Sequence, residues 1–141
     1  MYLNVHFQSP IRFLFQRGVY DLAIAYYHDY ENYLIENNFN DELFTSYNMY
    51  GNLLSRQKKY SESFKYYHKA RAFQLSKKDY PRYANVLNNL SILCLKTGQY
   101  DSALVYSSIA ISIFKKNNSN SALANSVLAI GEIYLKKGDL K

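Results

Sequence analysis

The chain repeats itself every 40 residues in a single frame. Gln16-Arg17-Gly18-Val19-Tyr20, Gln57-Lys58-Lys59-Tyr60, Thr97-Gly98-Gln99-Tyr100 and Lys137-Gly138-Asp139-Leu140 are variants of one turn. Tyr26-Tyr27-His28 returns as Tyr66-Tyr67-His68. A fixed period of about 20–50 residues marks stacked supersecondary units, none of which can bury its apolar face alone. The chain is therefore constrained to a repeat array, and a binding surface is the leading functional expectation.

Within each period the apolar residues fall three and four apart. Leu87, Leu90, Cys94 and Leu95 make one stripe in the third unit, and Ala103, Leu104, Ile109, Ala110 and Phe114 make a second. That spacing places each stripe on one face of a helix. Seven helices are expected, over residues 9–17, 19–36, 41–57, 60–77, 80–97, 100–116 and 121–137. Gly18, Gly98 and Gly138 supply the left-handed residue that ends a helix. Asn40, Asp79 and Asn120 read as N-caps, Pro81 as a first-turn residue, and Ser9-Pro10 as a cap followed by the first helical position, which leaves 1–8 extended.

Small and large residues recur together. Gly51, Ser91 and Gly131 share one repeat position, and Ala23, Ser63 and Ala103 share another, so two helices can approach closely there. Ala70 and Ala110 do the same between hairpins. Tyr47, Leu87 and Val127, then Tyr50, Leu90 and Ile130, then Leu54, Cys94 and Tyr134, then Tyr20, Tyr60 and Tyr100 are expected to fill the gaps.

These residues resemble the tetratricopeptide repeat: Tyr47-Asn48-Met49-Tyr50-Gly51 with Leu54, Tyr60, Ser63, Tyr67 and Ala70, and Gly98-Gln99-Tyr100 with Ala103 and Ala110. The resemblance implies an all-α fold, a right-handed solenoid of antiparallel helical hairpins with about 3.5 repeats. The units fall at about 4–39, 44–79, 84–119 and 124–141. The period departs from the family's usual spacing of about 34 residues, so each helix gains most of a turn. The closing proline is absent, Ile11 and Tyr30 replace small residues, and Ser107 replaces an aromatic. The longer period resembles that of bacterial peptide-sensing regulators, of kinesin light chain and of repeats in bacterial signalling proteins. The apolar stripe of 121–137 calls for a helical partner, so the chain is expected to be a segment of a longer protein.

The first helix of each hairpin would line a concave groove. Its positions carry Thr45, Asn48, Asn52, Ser55 and Arg56, then Asn85, Asn88, Asn89 and Lys96, then Asn125, Leu128, Glu132 and Lys136. Gln8, Arg12 and Gln16 would join them from the first helix. Asn is a poor helix-interior residue, so several on one face call for a reason. A side-chain amide offers a donor and an acceptor, which matches a peptide bond. Family members that bind peptides use asparagines this way, and the resemblance implies that Thr45, Asn48, Asn52, Arg56, Asn85, Asn88, Lys96, Asn125 and Glu132 form a peptide-binding face. The lysine clamp that some members place around a terminal carboxylate is incomplete, since Asn48 and Asn85 stand where lysines belong.

The net charge of +6 admits nucleic acid, and Arg12, Arg56, Lys96 and Lys136 could gather on the groove. Most lysines instead mark helix ends, where cations complement the dipole, so nucleic acid is the lesser expectation and a protein or peptide partner the greater. Self-association through the exposed repeat ends is a third reading. No stretch nears the ~20 apolar residues of a membrane span. His28 and His68 occupy equivalent outer positions without ligand-spaced neighbours, and Cys94 lies on a core stripe. No nucleophile elbow, phosphate loop, metal motif or cofactor fingerprint is present, so no enzyme, metal or cofactor is expected. The lone cysteine fits a reducing, cytoplasmic compartment.

Overall fold

The computed structural model describes residues 2–73 and 80–138, with side chains from residue 9 onward. Among them the chain is entirely helical: α1 Tyr2–Gln16, α2 Tyr20–Glu36, α3 Asn40–Arg56, α4 Tyr60–Arg71, α5 Tyr80–Lys96, α6 Tyr100–Lys116 and α7 Asn120–Lys137. Each helix packs on the next, so α1/α2, α3/α4 and α5/α6 are antiparallel hairpins stacked side by side, with α7 following. This is an α-solenoid of helical repeats.

The elements reveal a finer rhythm than the 40-residue repeat. Helices begin at Tyr20, Asn40, Tyr60, Tyr80, Tyr100 and Asn120, one every 20 residues. The turn between them is built the same way each time. The second connector residue is left-handed, whether it is Gly18, Asn38, Lys58, Gly98 or Asn118. The amide of the third residue then donates back to the last turn of the preceding helix: Val19 to Leu14 at 2.9 Å, Phe39 to Leu34 at 3.0 Å, Lys59 to Leu54 at 3.0 Å, Gln99 to Cys94 at 2.8 Å and Ser119 to Phe114 at 3.0 Å. This is the Schellman arrangement, which satisfies the orphan carbonyls of a helix end.

Because the same third residue also starts the next helix, it is the N-cap. Val19, Phe39, Lys59, Gln99 and Ser119 fill that place, and none makes a side-chain cap bond. Asn40 and Asn120 are first helical residues and not caps; the backbone geometry of the preceding turn has already fixed the entry. Asp79 lies outside the described residues. Pro81 does sit in the first turn of α5, and Gly18, Gly98 and Gly138 do take positive φ.

Two other expectations need correction. Residues 2–8 are not extended, because α1 runs from Tyr2 through Pro10 to Gln16. Pro10 lies inside α1, where its missing amide and its ring disturb one turn, and helix continues on either side. Helix α4 stops at Arg71, with Ala72 and Phe73 in the turn beyond it; residues 74–77 lie outside the described set.

Most of the core is one cluster running from α1 to α6, and a smaller one of Cys94, Ala103 and Ile133 lies among α5, α6 and α7. Ile11, Tyr27, Tyr30, Leu34, Tyr50, Leu54, Tyr67, Leu87, Leu90 and Phe114 are all buried, and each contributes about 1.5–3 kcal/mol by leaving water. Ile11 and Tyr30 are accommodated within this core. Ala23, Ala70, Ala103 and Ala110 sit fully buried at close helix approaches. The last unit behaves differently. Val127 is 51% exposed and Tyr134 40%, whereas their equivalents Leu87 and Cys94 are each 1% exposed. Those earlier positions are covered by the second helix of their own hairpin, and no such helix packs on α7 among the described residues. Tyr20 is likewise exposed, and Tyr60 and Tyr100 only half-buried.

Each junction between hairpins has its own chemistry. Between the first and second, Tyr27 stacks on Tyr50 at 3.6 Å between ring centroids, and Tyr66 meets Tyr50 edge-on at 4.6 Å. Glu31, only 7% exposed, pairs with Lys69 at 2.8 Å and accepts the Tyr66 hydroxyl at 3.3 Å. The Lys69 ammonium also lies over the Tyr47 and Tyr66 rings, 4.9 and 4.6 Å from their centres. One repeat on, Arg71 replaces Glu31, and its guanidinium lies over the Tyr106 ring. The outward-facing His28 and His68 are exposed, and Cys94 is a buried core thiol whose pKa burial raises to about 11.

Candidate functional site

The first helices α3, α5 and α7 bring together four rows at 40-residue intervals, polar except for Ile92 and Leu128: Thr45, Asn85 and Asn125; Asn48, Asn88 and Leu128; Asn52, Ile92 and Glu132; Arg56, Lys96 and Lys136. A helical turn of about 3.6 residues puts positions four apart on one face, so these rows share one surface.

The asparagines on it divide into two kinds. Asn48 Oδ1 accepts from Asn89 Nδ2 of the next hairpin at 2.9 Å. Asn88 Oδ1 accepts from the Ser126 hydroxyl of α7 at 3.0 Å. Asn52 Oδ1 accepts from the Tyr67 hydroxyl at 2.8 Å. These amides join one helix to another, which accounts for a residue type that a helix interior disfavours. Each has its carbonyl engaged and its NH2 group left as a donor. Asn85 and Asn125, by contrast, are exposed and make no bond among the described residues.

The bridges follow a spacing of one repeat plus one residue. Asn48 to Asn89, Ser55 to Lys96 and the Asp41 carbonyl to Arg82 are each 41 residues apart. Arg82 also donates to the Thr45 hydroxyl at 2.8 Å, so Thr45 is part of a junction. Sequence reasoning gave no polar role to Arg82, Tyr67 or Ser126; polar pairs separated by slightly less or more than one period are the signal for Arg82 and Ser126, whereas Tyr67 lies only 15 residues from Asn52, within the same hairpin.

Cations dominate the C-terminal ends of these helices. Lys96 Nζ reaches Ser55 at 3.2 Å. Arg56 and Lys136 have no carboxylate partner among the described residues, and the residues 41 positions before them, Phe15 and Leu95, offer no side-chain acceptor. Glu132 is the one acidic member of the four rows.

Three clefts open on this surface. The first, about 520 Å³, lies between α1 and α3 and is bordered by Arg12, Phe15, Met49, Asn52, Leu53 and Arg56. The second, about 340 Å³, lies between α3 and α5 near Asn52, Arg56, Asn89 and Lys96. The third, about 830 Å³, lies between α5 and α7 and includes Lys96, Tyr100, Asn125, Leu128, Glu132 and Lys136. Thr45, Asn48, Asn85 and Asn88 border none of these three. Among the described residues no group of His, Cys, Asp and Glu is placed to hold a metal ion, and no helix is long and apolar enough to cross a membrane.

A solenoid of antiparallel hairpins with small residues at each close approach and a polar face on the first helices defines a helical-repeat interaction protein. A tetratricopeptide repeat family model matches residues 42–116, more than half of the chain, and the chain belongs to that family. The match spans α3 to α6, and α2 and α7 continue its 20-residue rhythm on either side. Tetratricopeptide repeats mediate protein–protein interaction, and the family is one of non-catalytic modules. The chain has no significant match among curated proteins.

Proposed function

We propose that the face of α3, α5 and α7 is a groove for an extended peptide or partner segment rich in hydrogen-bond acceptors. The observation that carries this reading is the state of the amides: Asn48, Asn52 and Asn88 have their carbonyls engaged by neighbouring helices and present only NH2 donors. Exposed Asn85 and Asn125 add amides that make no bond among the described residues, and Arg56, Lys96 and Lys136 add donors that carry charge. A surface of donors selects backbone carbonyls and carboxylates, and its charge speeds encounter with an acidic segment. Half-buried Met49, Leu53 and Leu95 supply apolar contact beside them.

In this reading residues 1–141 form one repeat region with units at about 4–39, 44–79, 84–119 and 124–141. The 40-residue period fits the sensory or scaffolding part of a larger cytoplasmic regulator of the bacterial peptide-sensing kind. Binding would order the stack and so reposition whatever the region is joined to.

The test is selection from a random-peptide display library with the wild-type protein and with the Asn85→Ala/Asn125→Ala variant. Both residues are exposed and make no side-chain bond among the described residues, so the fold survives their loss. A consensus enriched by the wild type and lost by the variant supports the groove. Equal enrichment by both, or retention only of nucleic acid that 0.5 M salt removes, defeats it; such a loss with salt of roughly that strength is the mark of phosphate contacts.

A further inference from the structure

The junction between the first and second hairpins is built unlike the others. At the second junction α3 and α5 are joined by Asn48–Asn89, Ser55–Lys96 and Thr45–Arg82. At the third, α5 and α7 are joined by Asn88–Ser126. Between α1 and α3 no side-chain hydrogen bond occurs among the described residues. The reason lies in the sequence: Met49 and Phe15 occupy the positions where the second junction has Asn89 and Ser55. This junction is held on its other side, by Glu31–Lys69 and the Tyr27–Tyr50 stack.

The result is the 520 Å³ cleft, a volume within the range of about 300–1,000 Å³ that small-molecule sites occupy. Its floor is apolar, with Phe15 packed edge-on against Tyr20 at 5.4 Å and Met49 and Leu53 opposite. Its walls carry two guanidiniums, Arg12 and Arg56, both exposed and neither paired with a carboxylate among the described residues. Gln57 borders the same cleft, and its Oε1 has no hydrogen-bond partner and is shielded from solvent, so a turn of the Gln57 side chain is needed to present it to a ligand. A buried acceptor left empty is unfavourable, and a ligand that donates to it removes that penalty.

We infer that this cleft binds a small aromatic acid: a carboxylate for the two guanidiniums, a ring for the Phe15–Met49–Leu53 floor, and one O–H or N–H for Gln57. Guanidinium pairs suit planar anions through paired N–H donors, and methionine sulfur favours contact with an aromatic ring. The cleft opens at the α1 end of the groove face and shares Asn52 and Arg56 with it. Arg12 belongs to this cleft alone, whereas Asn85 and Asn125 belong to the groove.

The chain has two methionines, Met1 and Met49, so a methyl-labelled sample gives a reporter inside the cleft. Three probes are titrated: 4-hydroxyphenylacetate, the matching neutral alcohol, and phenylacetate, which lacks the ring hydroxyl. The expected result is a saturable shift of the Met49 methyl by 4-hydroxyphenylacetate, with binding at least tenfold weaker for the alcohol and in Arg12→Ala or Arg56→Ala. Phenylacetate binds less tightly in the wild type, and Gln57→Leu abolishes that difference. Thermal melting of each variant checks that the fold is intact. Equal affinity for acid and alcohol, unchanged affinity in Arg12→Ala, or no saturable shift at all overturns the assignment. Because Arg56 also belongs to the groove, Arg12→Ala is the variant that separates the two sites, and Asn85→Ala/Asn125→Ala tests the groove by itself.

Discussion

The ring of Tyr67 lies where a side chain at residue 51 would have to be: a Cβ built on Gly51 would come within 2.7 Å of the Tyr67 ring carbons Cδ1 and Cε1. One repeat later the same two positions hold Ser91 and Ser107, whose hydroxyls meet at 2.5 Å. The neighbouring pair changes too. In the second hairpin the Ser63 hydroxyl of α4 donates to the Gly51 carbonyl of α3 at 2.7 Å, and in the third the Ser91 hydroxyl of α5 donates to the Ala103 carbonyl of α6 at 2.8 Å. The same helix pairing is thus made twice, with the bond running in opposite directions. A large ring on a glycine and two hydroxyls in contact are alternative ways to fill one space.

Gly51→Ala therefore destabilises the fold by about 1–3 kcal/mol, the usual cost of forcing atoms into a filled core. Gly131 holds the equivalent place, yet a Cβ there meets nothing within 4 Å. Gly131→Ala stabilises by about 0.5–1 kcal/mol through helix propensity alone. Chemical denaturation of the two variants gives the signs, and a common sign refutes the account.

Replacing Tyr67 by Ser removes a buried ring and costs about 3–5 kcal/mol. In that background Gly51→Ser is no longer a clash, since the pair then matches Ser91–Ser107. A double-mutant cycle yields a favourable coupling of about 1–3 kcal/mol between the two substitutions. Additive effects would show that the ring and the glycine are independent.

Lys69→Ala leaves Glu31 buried without its cation and removes the ring contacts at Tyr47 and Tyr66. The loss is about 1–3 kcal/mol, toward the lower end because Lys69 is partly solvated. Glu31→Gln combined with Lys69→Met recovers most of it, because no unpaired charge remains. Thermal melts of the three variants decide the matter; a double variant worse than Lys69→Ala counts against the pair.

Alkali is expected to weaken the fold through its buried tyrosines. Burial pushes the Tyr50 hydroxyl up to about 12, and burial together with the Glu31 charge does the same for Tyr47. Burial raises Tyr27, Tyr66 and Tyr67 further in the same direction. A folded pKa above the unfolded value of about 10 means that the unfolded chain releases its protons first. Stability is thus complete below pH 10 and falls as pH rises through the 10–12 window. Denaturant midpoints between pH 8 and 12 should be flat and then decline, and Tyr50→Phe should soften the decline.

The helices, their left-handed glycines and the small residues at close approaches were legible because each is a local or periodic property. Gly18 and Gly98 announce the turn, and the 40-residue period carries that reading to Lys58. Asn38 and Asn118 adopt the same left-handed geometry, but asparagine in a turn has several conformations open to it, so the 20-residue rhythm stayed hidden. Caps were misread for a related reason. A polar residue beside a turn suggests an N-cap, yet Phe39 and Val19 take that role because the preceding helix end already orients them.

The candidate groove shows the same division. Sequence by itself determined that Asn48, Asn52 and Asn88 share a face, since that follows from helical period and repeat length alone. Only tertiary structure decided that Tyr67, Asn89 and Ser126 take up their carbonyls, because hydrogen bonds between helices depend on how the two helices of a hairpin cross and how far one hairpin is offset from the next. The exposure of Val127 and Tyr134 is of that kind as well. A residue's apolar character is written in the chain, and whether it is covered depends on which helix lies against it.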